Sequence, residues 1–344
     1  MKRSVELELE YQPPIVSPPQ ASQAMAASTS ANDASTIAFW KDIWLRNMKS
    51  NKERVGSFKD KGVHLLHDLY RWKPAICIGS GPSLKQYAKF LVRNDEEKIK
   101  GNPGIPVISA LHNFAYLTDL GVHVDYWVTL DAGEIVIDEM FDGGTNTQEF
   151  YREKSKSQKL IAYVATNPRL FNNWLGDTYW MQSIMPDPVL GKAMDEIERY
   201  KCIVSSGGNV LGGSMYIAKA IMGCNPIIYM GADCSFSYDK KFHSFNSKYD
   251  TVGHAIKVPD IYGNNVLTWS SYYNFKTFFD LKAMTVPGIW INCSDGCVGA
   301  YPQGNLIAFQ YMHIEKALEM YRVSEHLQPV VDRPDTIEQE IICW

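Results

Sequence analysis

A series of short apolar runs, each closing in small or polar residues and leading into a longer helix-like segment, limits the fold of this chain more than any other feature. The runs are AICIG (75–79), PVISA (106–110), DYWVTL (125–130), KLIAYVA (159–165), NPIIYMGA (225–232) and GIWINCS (288–294). A strand with one wet face alternates apolar and polar residues, whereas a near-continuous run suits a strand covered on both faces. Two covered faces require crossover helices above and below a parallel sheet. The expectation is an α/β, Rossmann-like fold: a mostly parallel sheet flanked by helices, with an N-terminal helical extension. Ligands of such sheets bind beyond the carboxyl ends of the strands. Those ends read GSGPS, ALHN, TLDAGE, GADCSF and NCSDGCVG, all polar or small.

The 344 residues are 45% hydrophobic and 21% charged, enough for a sizeable core without a staple. A formal charge of -4, with Lys and Arg scattered, offers no bulk-charge basis for binding nucleic acid. The seven cysteines lie mostly inside apolar runs and read as buried thiols of a reducing compartment. Cys293 and Cys297 have no second Cys or His pair at zinc spacing. The N-terminus carries no apolar stretch of signal length, and no run is long enough to span a membrane, so a cytoplasmic location without a membrane span is expected.

Residues 1–36, rich in Pro, Ser and Ala, read as a disordered arm. In 37–73 the residues Ile37, Phe39, Trp40, Ile43, Trp44 and Met48 recur at helical spacing, which predicts an amphipathic helix. The main domain spans 74–310, and a C-terminal helix and tail occupy 311–344.

In GSGPSL, Gly79 and Gly81 allow a tight turn and close backbone approach to a ligand. Pro82 suits a helix's first turn, and Ser83 offers a hydroxyl. The stretch is neither a Walker A loop nor G-x-G-x-x-G, and an ordinary strand-to-helix turn would look the same. Asp131 closes another run, placed either to bind a ribose, cation or amine or to cap the next helix. Gly207, Gly208, Gly212 and Gly213 surround a helix start. The following strand ends at Gly231 and Asp233, with His243 ten residues on. Asp233 and His243 are acid–base candidates, His243 also being readable as a loop residue without a role. Thr268 and Tyr272, four apart, are expected on one helix face, and the aromatics from Trp269 to Phe279 read as core.

In this order the motifs resemble one family, the MptE-like (DUF115) superfamily, named for 6-hydroxymethylpterin diphosphokinase. The motility-associated-factor branch, implicated in flagellin glycosylation and similar in fold to CMP-sialic acid transferases, is the nearest in pattern. KPAICIGSGPSL matches its Gly-x-Gly-Pro-Ser-Leu turn, GVHVDYWVTLD its strand ending in Asp, and the stretch from Gly212 to Phe245 its Gly-rich helix, Gly-x-Asp strand end and trailing His. DIYGNNVLTWSSYYNF and WINCSDGCVGAYPQG match its later segments, except that Cys234, Ser235 and Cys297 depart from the pattern.

The resemblance implies a nucleotide-dependent transferase, best read as a glycosyltransferase using a CMP-activated nonulosonic (sialic-like) sugar. The alternatives are an ATP-dependent diphosphokinase acting on a hydroxymethyl, pterin-like acceptor and a non-catalytic nucleotide-binding module. It implies that Gly79, Ser80, Gly81, Pro82 and Ser83 embrace the donor's phosphate or ribose. Asn113, Asp131, Gly207, Gly208, Asn209, Gly213, Ser214, Gly231, Thr268, Tyr272, Ser294 and Gly296 would complete the nucleotide and substrate cleft. His243 and Asp233 would assist transfer to a glycan, protein or small-molecule acceptor. The diphosphokinase reading adds Mg2+, with Asp131 and Asp233, expected on adjacent strand ends, as its ligands.

Overall fold

The computed structural model describes residues 15–16, 23–92, 94, 104–183, 187–198, 203–238, 243–245 and 255–321. Residues 1–14 of the expected arm and 322–344 of the expected tail lie outside them. The strands in chain order are β1 (Ile15–Val16), β2 (Ala75–Ile78), β3 (Val107–Ala110), β4 (Tyr126–Thr129), β5 (Lys159–Tyr163), β6 (Asp177–Ser183), β7 (Ile203–Val204), β8 (Ile227–Met230), β9 (Ala255–Pro259), β10 (Asn265–Trp269), β11 (Trp290–Asn292), β12 (Ala300–Tyr301), β13 (Gly304–Leu306) and β14 (Phe309–Tyr311). Nine of them form one sheet in the order β14-β11-β8-β2-β3-β4-β5-β6-β7. Every pairing in it is parallel.

All four residues are buried in each of β2, β3, β4 and β8, as continuous apolar runs require. The six runs all became strands of this sheet. β6, with the mixed sequence DTYWMQS and partly exposed, was not among them, because near a sheet edge the helix cover thins and polar residues are tolerated. β7 and β14 are too short to register as runs. The antiparallel hairpin of β9 and β10 also went unread, since its exposed positions break the apolar pattern.

From β2 the chain steps outward through β3 to β7, then returns to lay β8 on the other side of β2. That reversal makes the boundary between β2 and β8 the topological switch point. At such a point the crossovers of open α/β sheets diverge, and ligands of these folds bind beyond the strand ends.

The expected arm differs from the structure. Residues 23–36 belong to the helix Gln23–Val55, and β1 pairs parallel with Asn305 and Leu306. Alanine has the highest helix propensity, and a helix already nucleated by the amphipathic segment extends into an Ala-rich stretch at little cost. Farther along that helix, Asn47 donates to the carbonyls of Ala132 and Ala165, and Asn51 to those of Val164 and Thr166. These contacts tie the helix to the loops after β4 and β5. Asn51→Ala is expected to lower stability by about 1–3 kcal/mol, because it strands two buried carbonyls. Urea unfolding checks this, and an unchanged midpoint would show that the carbonyls find other donors.

Among the described residues no helix is long and apolar enough to cross a membrane. The described cysteines are free thiols, and burial pushes those of Cys77, Cys224, Cys234, Cys293 and Cys297 up.

Candidate functional site

The switch point is where the sequence motifs meet. Gly79 and Gly231 directly follow β2 and β8, and Gly79 N donates to Met230 O at 2.8 Å while Gly81 N donates to Gly231 O at 2.9 Å. A Cβ on Gly79 would stand 2.5 Å from the Gly231 carbonyl oxygen, and one on Gly231 would stand 2.5 Å from that of Gly79. Gly231 also holds φ +60, so both contact and conformation demand glycine.

Ser83, just before the short helix Leu84–Tyr87, donates from its backbone N and its Oγ to Asp233 Oδ2 at 3.2 and 2.8 Å. Asp233 therefore braces the 79–83 turn from the neighbouring strand. Burial pushes its carboxyl up to about 7, the nearby Asp295 carboxylate adds to the rise, and the Ser83 hydrogen bonds oppose it. Asp295 itself accepts from Tyr87 and Tyr262 hydroxyls at 2.7 and 2.9 Å and from Gln86 Nε2.

The raised carboxyl carries a stability consequence. Its folded value lies above the unfolded one, so the folded protein binds more protons between about pH 4 and 7. Stability from this group is therefore present at low pH and lost as pH rises through 7. Asp233→Asn is expected to flatten that slope, measured as the difference in urea midpoint between pH 5 and 7.5. An identical slope in the variant would assign it elsewhere.

The late segment supports the same turn. Ser294 Oγ accepts from Ala232 N at 2.9 Å, Cys297 N donates to Asp233 O at 2.8 Å, and a Cβ on Gly296 would collide with the Asp233 backbone. Cys234 sits at φ 49, with its carbonyl accepting from Thr268 Oγ1 at 2.5 Å and from Cys297 Sγ at 3.2 Å. Thr268 lies in β10 and the helix begins only at Ser270, so Thr268 and Tyr272 do not share a helix face as expected. The β hairpin claims Thr268 first. Tyr272 stacks on Trp269 with ring centroids 5.1 Å apart. Of the aromatics expected as core, Phe279 is buried, while Trp269, Tyr272, Tyr273, Phe275 and Phe278 are half-buried.

On the β3 side, Asn113 Nδ2 donates to Gly79 O at 3.1 Å, and Ser244 N donates to Ser80 O at 3.0 Å. The buried Asn113 Oδ1 and Ser244 Oγ have no hydrogen-bond partner among the described residues. His243 meets His112 ring to ring at 4.7 Å, and His112 Nε2 lies 3.0 Å from Asp142 Oδ2. His112, Asp142 and Ser244 were not singled out from sequence. The only trace was the polar strand end ALHN.

A second group lies at the end of β4. Asp131 Oδ1 accepts from Gly133 N at 2.8 Å, closing a local turn, and burial raises its carboxyl. Gly207 and Gly208 hold φ +59 and +79, and Asn209 caps the helix Val210–Tyr216 by accepting from Gly212 N at 2.8 Å. A Cβ on Gly213 would meet Leu130 at 3.9 Å, Leu211 would touch a Cβ on Gly79 at 3.2 Å, and this helix packs on β2 and β4. Ser214 is buried with its hydroxyl donated to Val210 O at 3.0 Å, which engages it within the helix.

The expected metal pair is corrected by the strand order. Asp131 follows β4 and Asp233 follows β8, with β2 and β3 between them. Three strand spacings separate the two ends by about 14 Å, too far for both carboxylates to hold one ion. Among the described residues no group of three or more His, Cys, Asp or Glu is arranged to hold a metal. The residues present do not fit the Mg2+ site that adjacent strand ends would have made.

Sequence reading also missed the buried pair of Lys276 and Asp280, 2.5 Å apart and one helical turn from each other. Asp280 accepts from Gly299 N and the Tyr301 hydroxyl, each at 2.8 Å, fixing the turn after Cys297. The signal available was the i, i+4 spacing of opposite charges.

A parallel sheet whose switch point is lined by two close-packed glycine turns defines an α/β, Rossmann-like protein. The chain belongs to the 6-hydroxymethylpterin diphosphokinase MptE-like family, whose model matches residues 44–239. The family's name is that of a transferase. Among solved structures, the MAf glycosyltransferase from Magnetospirillum magneticum AMB-1 is similar, with a TM-score of 0.51 and 13% identity over 78% of this chain. The similarity covers 38% of that protein, so this chain spans well under half its length. No curated protein sequence matches the chain.

Proposed function

We propose that the chain is a nucleotide-dependent glycosyltransferase whose donor, a CMP-activated nonulosonic sugar, lies across the β2/β8 switch point. The observation that carries this is the 79–83 turn. Its glycines let the backbone pack against Gly231 and Asp233 with no Cβ between, Asp233 braces Ser83, and Asn113 and Ser244 hold the carbonyls of Gly79 and Ser80. A turn over-determined in this way is preorganised to bind an anionic leaving group without rearranging.

In this reading residues 79–83 hold the donor's phosphate, and His243 takes the proton of the acceptor hydroxyl. The acceptor oxygen bonds to the sugar's anomeric carbon as the bond from that carbon to the phosphate oxygen breaks, its electron pair leaving with the nucleotide. No step is routed through a metal shared by Asp131 and Asp233, because the two stand at separate strand ends.

The family description favours a second reading, pyrophosphate transfer from ATP to a hydroxymethyl acceptor. A thermal-shift panel of CMP, CDP, UDP, GDP and ATP, each with and without Mg2+, separates the two. A ligand that binds only the folded state stabilises it by mass action, to about 2.7 kcal/mol at a hundredfold excess over Kd. Stabilisation by CMP without Mg2+ supports the first reading, and stabilisation by ATP only with Mg2+ replaces it with the second. No shift with any nucleotide would overturn both.

A further inference from the structure

The residues just before the two anchors of the 79–83 turn are both histidines. Asn113 holds the Gly79 carbonyl, and His112 precedes it. Ser244 holds the Ser80 carbonyl, and His243 precedes it. Two segments from distant parts of the chain are thus pinned to consecutive carbonyls, and the pinning brings their imidazoles together at 4.7 Å with the planes at 66°. Phe245 closes the group, 5.2 Å from His112 and 5.8 Å from His243, and Tyr116 packs behind it at 5.4 Å.

His112 is fixed on its other side. Its Nε2 lies 3.0 Å from Asp142 Oδ2, and both side chains are about nine-tenths buried. Turning the ring would break this buried hydrogen bond, so the contact with Asp142 fixes the orientation of His112. The carboxyl of Glu139 also feels the charge of His112, and burial pushes it up to about 7. Among the described residues, Asp142 and Glu139 are titratable groups facing this histidine pair, with Asp131 and Asp138 acting on Glu139.

We propose that His112, braced by Asp142, is a positioning residue that orients His243 over the 79–80 carbonyls and couples to its protonation. The inference rests on the reading of His243 as the proton acceptor at this site. The proton itself passes from the acceptor hydroxyl to His243, and His112 neither gains nor loses one in the transfer. Its part is to hold the receiving ring edge-on, and to respond to the charge that appears there. An Asp behind a histidine supplies orientation in the same way at other proton-transfer sites.

The test is imidazole NMR of the full chain, following the ring Cε1–H signals of His112 and His243 from pH 5 to 9 in the parent, Asp142→Asn and His112→Phe. Phe keeps an aromatic edge against His243 but removes the charge and the bond to Asp142. Losing the bond to Asp142 should change the His112 ring signal across the titration in Asp142→Asn. The His243 midpoint should shift in His112→Phe. Melting curves report whether each variant is folded, and Asp142→Glu, expected to restore the parent's titration, separates coupling from simple loss of structure. A His243 midpoint identical in parent and His112→Phe overturns the proposal, as does an unchanged His112 ring signal in Asp142→Asn.

A turnover arm uses CMP-N-acetylneuraminic acid as probe and CMP release as signal. His112→Phe should lower kcat about tenfold with KM for the donor unchanged, and an unchanged kcat overturns the positioning role. If the parent releases no CMP, the donor assignment fails by itself, while the NMR arm still decides whether the two histidines are coupled.

Discussion

Gly81→Val is expected to lose nucleotide binding and to destabilise the protein together. A Cβ at Gly81 would stand 2.6 Å from the Gly231 carbonyl oxygen and 2.9 Å from the Asp233 Cβ, and would run into the Asp233 carboxylate. Two of these obstacles are backbone or the first atom of a side chain, so neither swings away. Gly81 is not in the left-handed region, and the cost comes from contact and not from φ. Overpacking of this kind costs roughly 1–3 kcal/mol. It also pushes the turn off Asp233, so Ser83 loses its brace. Urea unfolding and calorimetric titration with CMP check the two effects. A variant with parental midpoint and affinity would show that the 79–83 turn yields freely and that the nucleotide lies elsewhere.

His243→Ala carries the second large effect. If His243 takes the acceptor's proton, turnover should fall by roughly 10²-fold with donor affinity nearly unchanged, because acid–base assistance acts in the transition state. In the proposed reading the turn holds the donor's phosphate, and the backbone of Ser244, which the substitution leaves in place, keeps its bond to Ser80 O. The parent's pH–rate profile should show an ionisation that the variant lacks. Loss of binding and turnover together would move His243 to a role in holding the loop. Near-normal turnover would remove it from the chemistry altogether. Asp233 is a poor substitute for it, since its carboxylate is buried and committed to Ser83.

Much of this site could be read locally. GSGPS and GAD were visible as strand ends because apolar continuity and small-residue termination are properties of a few consecutive residues. Their glycines proved necessary for a reason that the motif only implied: Gly79 and Gly231 occupy each other's side-chain space. Ser214 bonds back to the preceding turn, and nothing in its sequence neighbours tells whether a helical serine does so or turns outward. Thr268 was misplaced for a similar reason. VLTW can begin a helix or end a strand, and only its pairing with β9 decided the matter.

By itself the sequence determined the class of fold, the parallel character of the sheet and the residues at its strand ends, since burial on both faces is written into each run of four or five apolar side chains. It left the order of the strands open. Only the tertiary structure decided that β8 returns beside β2, which makes that boundary the switch point and parts Asp131 from Asp233. Only the tertiary structure set His112 against His243, and Asp142 behind them. Strand order depends on which faces of many elements can be covered at once, a balance struck over the whole core. No window of neighbouring residues contains it.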